Sequence, residues 1–327
     1  MKPHIVITSI FEPTEAVEKF AGLSDYHLIV VGDKKSPLDW FYPNTTFLSI
    51  DNQENMNSNL AKVLPYNHYC RKMMGYLYAI NKGATIIIDT DDDNIPKQNW
   101  SFPLFDDNFD CIPNDLGFIN IYNYYTDHKI WPRGLPLRLI NQLTYNKTTQ
   151  TKKVKVGVWQ GLADEDPDVD AIYRLTSDQA CYFVDRKPIV LGAGTVTPFN
   201  TQNTAIVKDL FPLMYLPSHV TFRFTDILRG LVAQPIMWAA DYNLGFTNAT
   251  VIQKRNPHDY HKDFISEIPM YLNIEKVIEL GEKVVKTSNS VTDNLYNTYL
   301  ELEKAAIINS EEFKTIDAWL LDLQSKD

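Results

Sequence analysis

The sequence predicts an α/β fold, a mixed sheet flanked by helices with a helical appendage at its C-terminal end. Three observations carry this. Short β-branched runs alternate with helical patterns through the first third of the chain, the mark of parallel strands joined by crossover helices. One such run, Ala84-Thr85-Ile86-Ile87-Ile88, drives straight into Asp89, Asp91, Asp92 and Asp93, and Pro96 closes the segment. From about Met270 to Leu323 apolar residues recur at helical spacing between Glu and Lys, as in helices with one wet face.

Taken in order, His4–Ser9 reads as a strand and Pro13–Ala21 as a helix with Glu15, Glu18 and Lys19 outward. Tyr26–Val31 is a second strand, followed by a loop at Gly32-Asp33-Lys34, and Thr46–Ile50 a short third. Asn67–Lys82 carries an apolar stripe through Met73, Met74, Leu77, Tyr78 and Ile80, and Gly83 ends that helix. The acidic strand follows. Residues 100–200 are rich in aromatics, Pro and Asn; they read as mixed or antiparallel strands (Phe118–Tyr122, Val154–Gln160, Ala180–Val184) with long functional loops. Residues 201–240 return to helical spacing, with helices expected at Ala205–Leu210 and from Thr225-Asp226 onward.

Composition narrows the classes. With 327 residues, 44% apolar and 12% aromatic, the chain can bury a substantial core. A formal charge of −10 argues against a nucleic-acid partner, which needs a basic surface. Cys70, Cys111 and Cys181 are odd in number and far apart, so they read as reduced, buried thiols rather than disulfides or zinc ligands. The first residues turn polar too soon for a signal peptide, and no apolar run is long enough for a membrane span. Asn44, Asn99, Asn146 and Asn248 open Asn-x-Ser/Thr triplets that read as chance. A cytoplasmic protein is expected, and the helical faces after Met270 offer a surface for pairing with a second copy.

The acidic strand is where chemistry is expected. A buried strand ending in carboxylates puts negative charge at the carboxyl edge of a sheet, where open α/β sheets bind ligands. Side chains two apart share a face, so Asp91 can pair with Asp93, or Asp89 with Asp91. Carboxylates that close repel unless a proton or cation intervenes, and Mg²⁺ or Mn²⁺ usually arrives with a phosphate. The alternative is a solvated acidic turn. Arg71-Lys72 begins the preceding helix, within reach of a diphosphate. Trp131-Pro132-Arg133-Gly134-Leu135-Pro136 is a stiff loop that can position Arg133.

Further along, Asp164, Glu165, Asp166, Asp168 and Asp170 form a second acidic run that reads as a solvated loop. Pro198–Thr204, which includes Asn203, offers amides and hydroxyls beside Phe199, a chemistry suited to sugar hydroxyls. Asp226 reads as a helix first-turn residue or as a general base. His258 and His261 are surface histidines or one further metal ligand. No Gly-x-Gly-x-x-Gly, P-loop, Gly-x-Ser-x-Gly or His-Glu-x-x-His pattern occurs, which disfavours dinucleotide, NTPase, serine-hydrolase and zinc-protease chemistry.

The order β-α-β-β-α-β before an Asp-x-Asp cluster resembles the nucleotide-sugar-dependent glycosyltransferases of the GT-A fold, a Rossmann-type mixed sheet. A closer resemblance is to the STELLO-type glycosyltransferases. It is carried by Val31-Gly32-Asp33, Leu64-Pro65-Tyr66, Arg71–Ile80, the Asp89–Asp93 cluster, Trp131–Pro136, Asp166–Leu175, Pro198–Thr204 and Phe222–Gly230. A more distant likeness is to reversibly glycosylated polypeptides and UDP-arabinopyranose mutases. The plant STELLO proteins carry an N-terminal membrane anchor not seen here, so Golgi residence is not carried over.

The resemblance implies a catalytic domain over residues 1–265, with a nucleotide-binding half (1–100) and a donor-sugar and acceptor half (101–265), and a helical extension over 266–327. It implies Mn²⁺ or Mg²⁺ held by Asp91, Asp93 and His258. Donor contacts would come from Asp33 at the base, Arg71 and Arg133 at charged groups, and Asp89, Asp92 and Asn203 near the ribose or sugar. Asp226 would be the base of an inverting transfer from a nucleoside-diphosphate sugar, UDP-linked above all, to a glycan or other hydroxyl acceptor. A sugar-nucleotide mutase or self-glycosylating protein, and a non-catalytic nucleotide-sugar binder or scaffold, remain alternatives.

Overall fold

The structure, a computed structural model, describes residues 2–141, 148–177, 179–255 and 259–324. Four parallel strands begin it: β1 (His4–Thr8), β2 (His27–Val31), β3 (Thr45–Leu48) and β4 (Ile86–Asp89). There follow β5 (Asn94–Pro96), β6 (Asp106–Ile112), β7 (Gly117–Phe118), β8 (Gln150–Glu165), β9 (Ile189–Leu191), β10 (Thr195–Val196), β11 (Thr204–Val207) and β12 (Asn243–Gln253). β7 and β10 pair with each other; the others form one mixed sheet in the order β3-β2-β1-β4-β11-β8-β6-β9-β12-β5, with β8 also pairing β12. This is a GT-A-like α/β architecture.

Strand direction decides where the site can be. β11 runs antiparallel to both β4 and β8, so β8 points the same way as β4, and β12 lies parallel to β8. The carboxyl ends of β1, β2, β4, β8 and β12 and the amino end of β11 therefore meet at one rim. Ligands in open α/β sheets bind at such a rim.

The helices are α1 (Glu15–Ala21), α2 (Ile50–Glu54), α3 (Asn59–Val63), α4 (Lys72–Asn81), α5 (Tyr122–Tyr125), α6 (Ala171–Thr176), α7 (Thr225–Ala239), α8 (Tyr260–Val284), α9 (Val291–Lys304) and α10 (Glu312–Gln324). Alternation along β1 sends Ile5 and Ile7 to a cluster with Phe20 of α1, Trp100 and Trp159, and Val6 to a second cluster on the other face. That second cluster is continuous through α4 and α7 to Ile274, Leu295 and Trp319 of the last three helices. α4 lies so close to the sheet that a Cβ on Gly75 would stand 2.5 Å from Val6 Cγ1 and 2.6 Å from Val31 Cγ2. α7 is buried without a break from Thr225 to Met237, as a helix is when neighbours cover every side; α8 and α9 pack against it.

Several local expectations change. Thr204–Val207 is a strand, not a helix: its β-branched residues slot between β4 and β8, a tertiary demand that overrides the helical spacing. Phe118–Tyr122 reduces to the short β7 and the start of α5. In Ala180–Val184 only Cys181 makes a bridge, to Glu165. α2 and α3 were not foreseen; Ser49 and Ser58 cap them, each accepting a backbone N–H three residues on. The three cysteines are free and buried. Among the described residues no helix is long and apolar enough to cross a membrane.

The last helix is held by specific contacts. Trp319 is fully buried and donates its indole N–H to Pro212 O at 3.0 Å. Asp322 accepts the N–H groups of Asn59 and Leu60 at 2.9 and 2.8 Å, satisfying the first turn of α3. Trp319→Ala should cost about 3–5 kcal/mol in the main transition of a urea titration; an unchanged main transition would mean that α10 folds apart from the sheet.

Candidate active site

At the end of β4, Asp89 is fully buried. It accepts the Tyr76 hydroxyl at 2.5 Å and Arg229 Nη1 at 2.9 Å, and Lys72 Nζ lies 2.6 Å away. Lys72 also reaches Asp91 Oδ1 at 2.8 Å. Two cations thus face two carboxylates. Burial alone would lower the Lys72 and Arg229 values; Asp89 with Asp91 at Lys72, and Asp89 with Tyr76 and Tyr69 at Arg229, together outweigh it and hold both above the ordinary values. α7 brings Arg229 in at close range, since a Cβ on Gly230 would meet Phe199 O at 2.3 Å, and Arg229 Nη2 donates to Asn200 O at 2.8 Å.

Beyond this knot the chain opens into a cleft of about 220 Å³ lined by Asp91, Asp92 and Asp93 and by Arg133, Asp168, Arg223, Asp226, Gln253 and Arg255. Asp91 keeps 31% of its side chain open. Burial nevertheless pushes its carboxyl up to about 6, with Lys72 opposing the rise and Asp93 adding to it. Asp92 and Asp93 are raised by burial as well. Ser9 Oγ donates to Asp92 at 2.5 Å, and Gln253 Nε2 to Asp93 at 3.3 Å.

The remaining loops supply arginines. Arg133 forks onto two carboxylates: Nε and Nη2 reach Asp168 at 2.9 Å each, and Nη1 and Nη2 reach Asp226 at 2.9 and 2.7 Å. Gly134, at φ +91, makes the turn that aims it. Burial would raise Asp168, but Arg133, Arg223 and Arg255 overcome it and hold the carboxyl well below the usual range. Arg223 is tied to Glu267 of α8 at 2.8 Å, and Glu267 also accepts Ala171 N at 2.7 Å. Burial and neighbouring Arg223 push the Arg255 guanidinium below its ordinary value.

The second acidic run is not a solvated loop: Asp164, Asp168 and Asp170 are buried. Arginines and caps explain it. Asp168 answers Arg133, and Asp170 caps α6 through Tyr173 N at 2.9 Å and takes the Trp131 indole N–H at 2.7 Å.

The expected residues fall into groups. Asp91, Asp92, Asp93, Arg133 and Asp226 line the cleft together. Asp33 and Arg71 line an adjoining pocket of about 250 Å³ with Gly32 and His68; Thr8, Tyr69, Asp92 and Phe222 are common to both cavities. Asp33 braces its own loop, accepting Lys34 N at 2.7 Å and His68 N at 3.2 Å. Arg71 spends donors on Gln53 Oε1 and on Leu64 O at 3.2 Å.

Asp89 and Asn203 are not among the residues lining either cavity. Asp89 is consumed by its counter-ions, and Asn203 accepts the Trp100 indole N–H at 2.9 Å and donates to Thr250 Oγ1 at 2.7 Å. His258 lies outside the described residues. Sequence reasoning missed Lys72 as counter-ion, Asp168, Arg223, Arg229 and Arg255. A signal for Arg229 existed, because a lone charge within the apolar Ile227–Met237 helix must find a buried partner.

The fold and rim define an α/β protein of GT-A-like architecture with an acidic and arginine-lined cleft. A family model described as STELLO glycosyltransferases matches residues 223–327, which include Arg223, Asp226, Arg229, Arg255 and the last helices. The chain is 26% identical over 344 aligned positions to Probable glycosyltransferase STELLO1 of Arabidopsis thaliana, covering 98% of this chain and 44% of that protein. It is 26% identical over 343 positions to Probable glycosyltransferase STELLO2 of the same plant, with the same coverage. The chain therefore resembles the STELLO-type glycosyltransferases along nearly its whole length, while spanning less than half the length of these relatives.

Two outcomes follow from the charges. Arg133→Met strips the closest ion pair from two buried carboxylates, Asp168 and Asp226, and should cost about 3–5 kcal/mol in chemical denaturation. Because Asp91 is raised in the folded state, folding binds a proton between its ordinary value and about 6, and its contribution to stability falls as pH rises through that window. In EDTA, Asp91→Asn should remove this part of the pH slope; a slope equal to that of the parent protein would contradict it.

Proposed function

We propose that the chain is a metal-dependent glycosyltransferase that moves one sugar from a nucleoside-diphosphate donor to a hydroxyl acceptor. The observation that supports it most is the crowding of Asp91, Asp92 and Asp93 at the carboxyl end of β4, facing a cleft that continues into the Asp33 pocket. The resemblance to proteins named glycosyltransferases supports the same class.

The residues present fit Mn²⁺ or Mg²⁺. Asp91 and Asp93 both line the cleft, and a hard cation takes one or two carboxylates and completes its shell with phosphate and water; among the described residues no group of three or more His, Cys, Asp or Glu is placed to hold a metal by itself. Asp91 and Asp93 would hold it, with His258 as a candidate third ligand. When bound, it would offset the charge growing on the departing diphosphate.

The chain's own groups do the rest. Lys72 fixes one oxygen of Asp91, which leaves the other for the cleft. The nucleoside would occupy the pocket by Asp33 and Arg71, and UDP-sugars are the first donors to test. Asp226 would take the proton of the acceptor hydroxyl as that oxygen attacks the anomeric carbon, giving inversion. Arg133 orients Asp226, and because it also serves Asp168, one cation is divided between two carboxylates.

A thermal-shift panel of UDP-, GDP-, CMP- and dTDP-sugars with and without Mn²⁺ tests this. One donor at 100 times its Kd should stabilise the fold by about 2.7 kcal/mol with Mn²⁺ and by less without it, and Asp93→Asn should remove the Mn²⁺-dependent part of the shift. Asp226→Asn should abolish transfer to added acceptor while donor binding persists; an active variant would dismiss it as base. Conversion of the donor without any acceptor would favour a mutase.

A further inference from the structure

Arg255 lies two residues beyond β12 and lines the cleft. Its side chain is only 7% exposed, yet among the described residues Nε and Nη1 have no hydrogen-bond partner. The nearest carboxylate oxygen to its third nitrogen, Asp168 Oδ1, is 4.0 Å from Nη2. That carboxylate is already claimed by Arg133 on both oxygens and by Asn200 Nδ2 at 2.7 Å. The other two arginines of the cleft are paired with carboxylates: Arg133 with Asp168 and Asp226, Arg223 with Glu267, and Arg223 also donates to Val169 O. Of these three, Arg255 is the one whose buried Nε and Nη1 lack a partner among the described residues, and it lines a space large enough for a small ligand.

A buried guanidinium with idle N–H groups is poorly solvated and poorly paired, so an arriving anion gains more there than at a satisfied arginine. Its planar fork matches two oxygens of one tetrahedral or carboxylate group. Arg255 also stands near enough to Asp93 for the two charges to act on each other, so an anion on Arg255 would sit next to the carboxylate cluster.

We infer that Arg255 is the protein's own phosphoryl-binding cation, an anion subsite that works without a divalent metal. The inference rests on the reading of the ligand as a nucleoside diphosphate and adds to it a second, independent grip on the diphosphate. Arg255 would hold it through hydrogen bonds from its guanidinium N–H groups, two of which are unpartnered among the described residues.

The test is calorimetric titration of inorganic pyrophosphate in EDTA against the parent protein, Arg255→Met and Arg255→Lys, with glucuronate as a carboxylate control. The parent should bind pyrophosphate, Arg255→Met should weaken it at least ~10-fold, and Arg255→Lys should fall between, since it keeps the charge and loses the fork. Without ligand, Arg255→Met should melt no lower than the parent and above it if the orphan charge is a burden; a purely structural arginine would lower the melting temperature. Equal pyrophosphate affinity in parent and Arg255→Met, no binding to the parent, or preference for glucuronate would each overturn the subsite. A donor panel without hits leaves pyrophosphate binding to stand or fall by itself, so the two failures are distinguishable.

Discussion

A carboxylate buried at the end of a central strand must be answered in full, and the way Asp89 is answered organises the molecule. Lys72 comes from the start of α4, Arg229 from α7, and the Tyr76 hydroxyl from the next turn of α4. Three ligating groups from two helices therefore converge on the last residue of β4. Removing either cation would leave the two carboxylates Asp89 and Asp91 short of compensating charge at a buried site, where the loss is several kcal/mol rather than the fraction typical of a surface pair. Because Lys72 extends its reach to Asp91, the same knot that closes the core also fixes the first carboxylate of the cleft.

The same device recurs outward. Glu267 ties α8 to Arg223 and to the start of α6; Glu312, at the start of α10, accepts Ser218 N and His219 N at 2.9 and 2.8 Å. Buried acids on the C-terminal helices thus clamp the loops around the arginine side of the cleft. These helices do two jobs with one set of contacts. They cover α7, which has no wet face, and they hold Arg223 at the wall of the cleft. The family-model match over residues 223–327 covers this assembly of base candidate, arginines and helices.

Much of the fold was legible because local and global demands agree in the first third: β-branched runs, caps and the apolar α4 stripe all point the same way. The parallel β1–β4 sheet and the acidic rim follow from it. The middle was less legible. Thr204–Val207 is ambiguous until its neighbours β4 and β8 exist, and the strands near Phe118 and Ala180 lack partners long enough to extend them. At the site, Asp91–Asp93, Arg133 and Asp226 could be picked out because they stand in unusual contexts, acid after strand or charge between prolines. Asp168, Arg223 and Arg255 could not, since each looks like an ordinary surface charge until distant segments bury it. Asp89 and Asn203 show the converse: residue type suggested a ligand contact, and packing assigned them to the interior.

Anomalous scattering from a crystal soaked with Mn²⁺ and UDP is the most direct measurement of what the acidic rim is for. A single manganese peak within coordination distance of Asp91 and Asp93, with the diphosphate extending from it toward Arg255, is the expected result. Ordered nucleotide with no manganese at those carboxylates would contradict a cation-bridged donor and remove the chemical reason for the cluster.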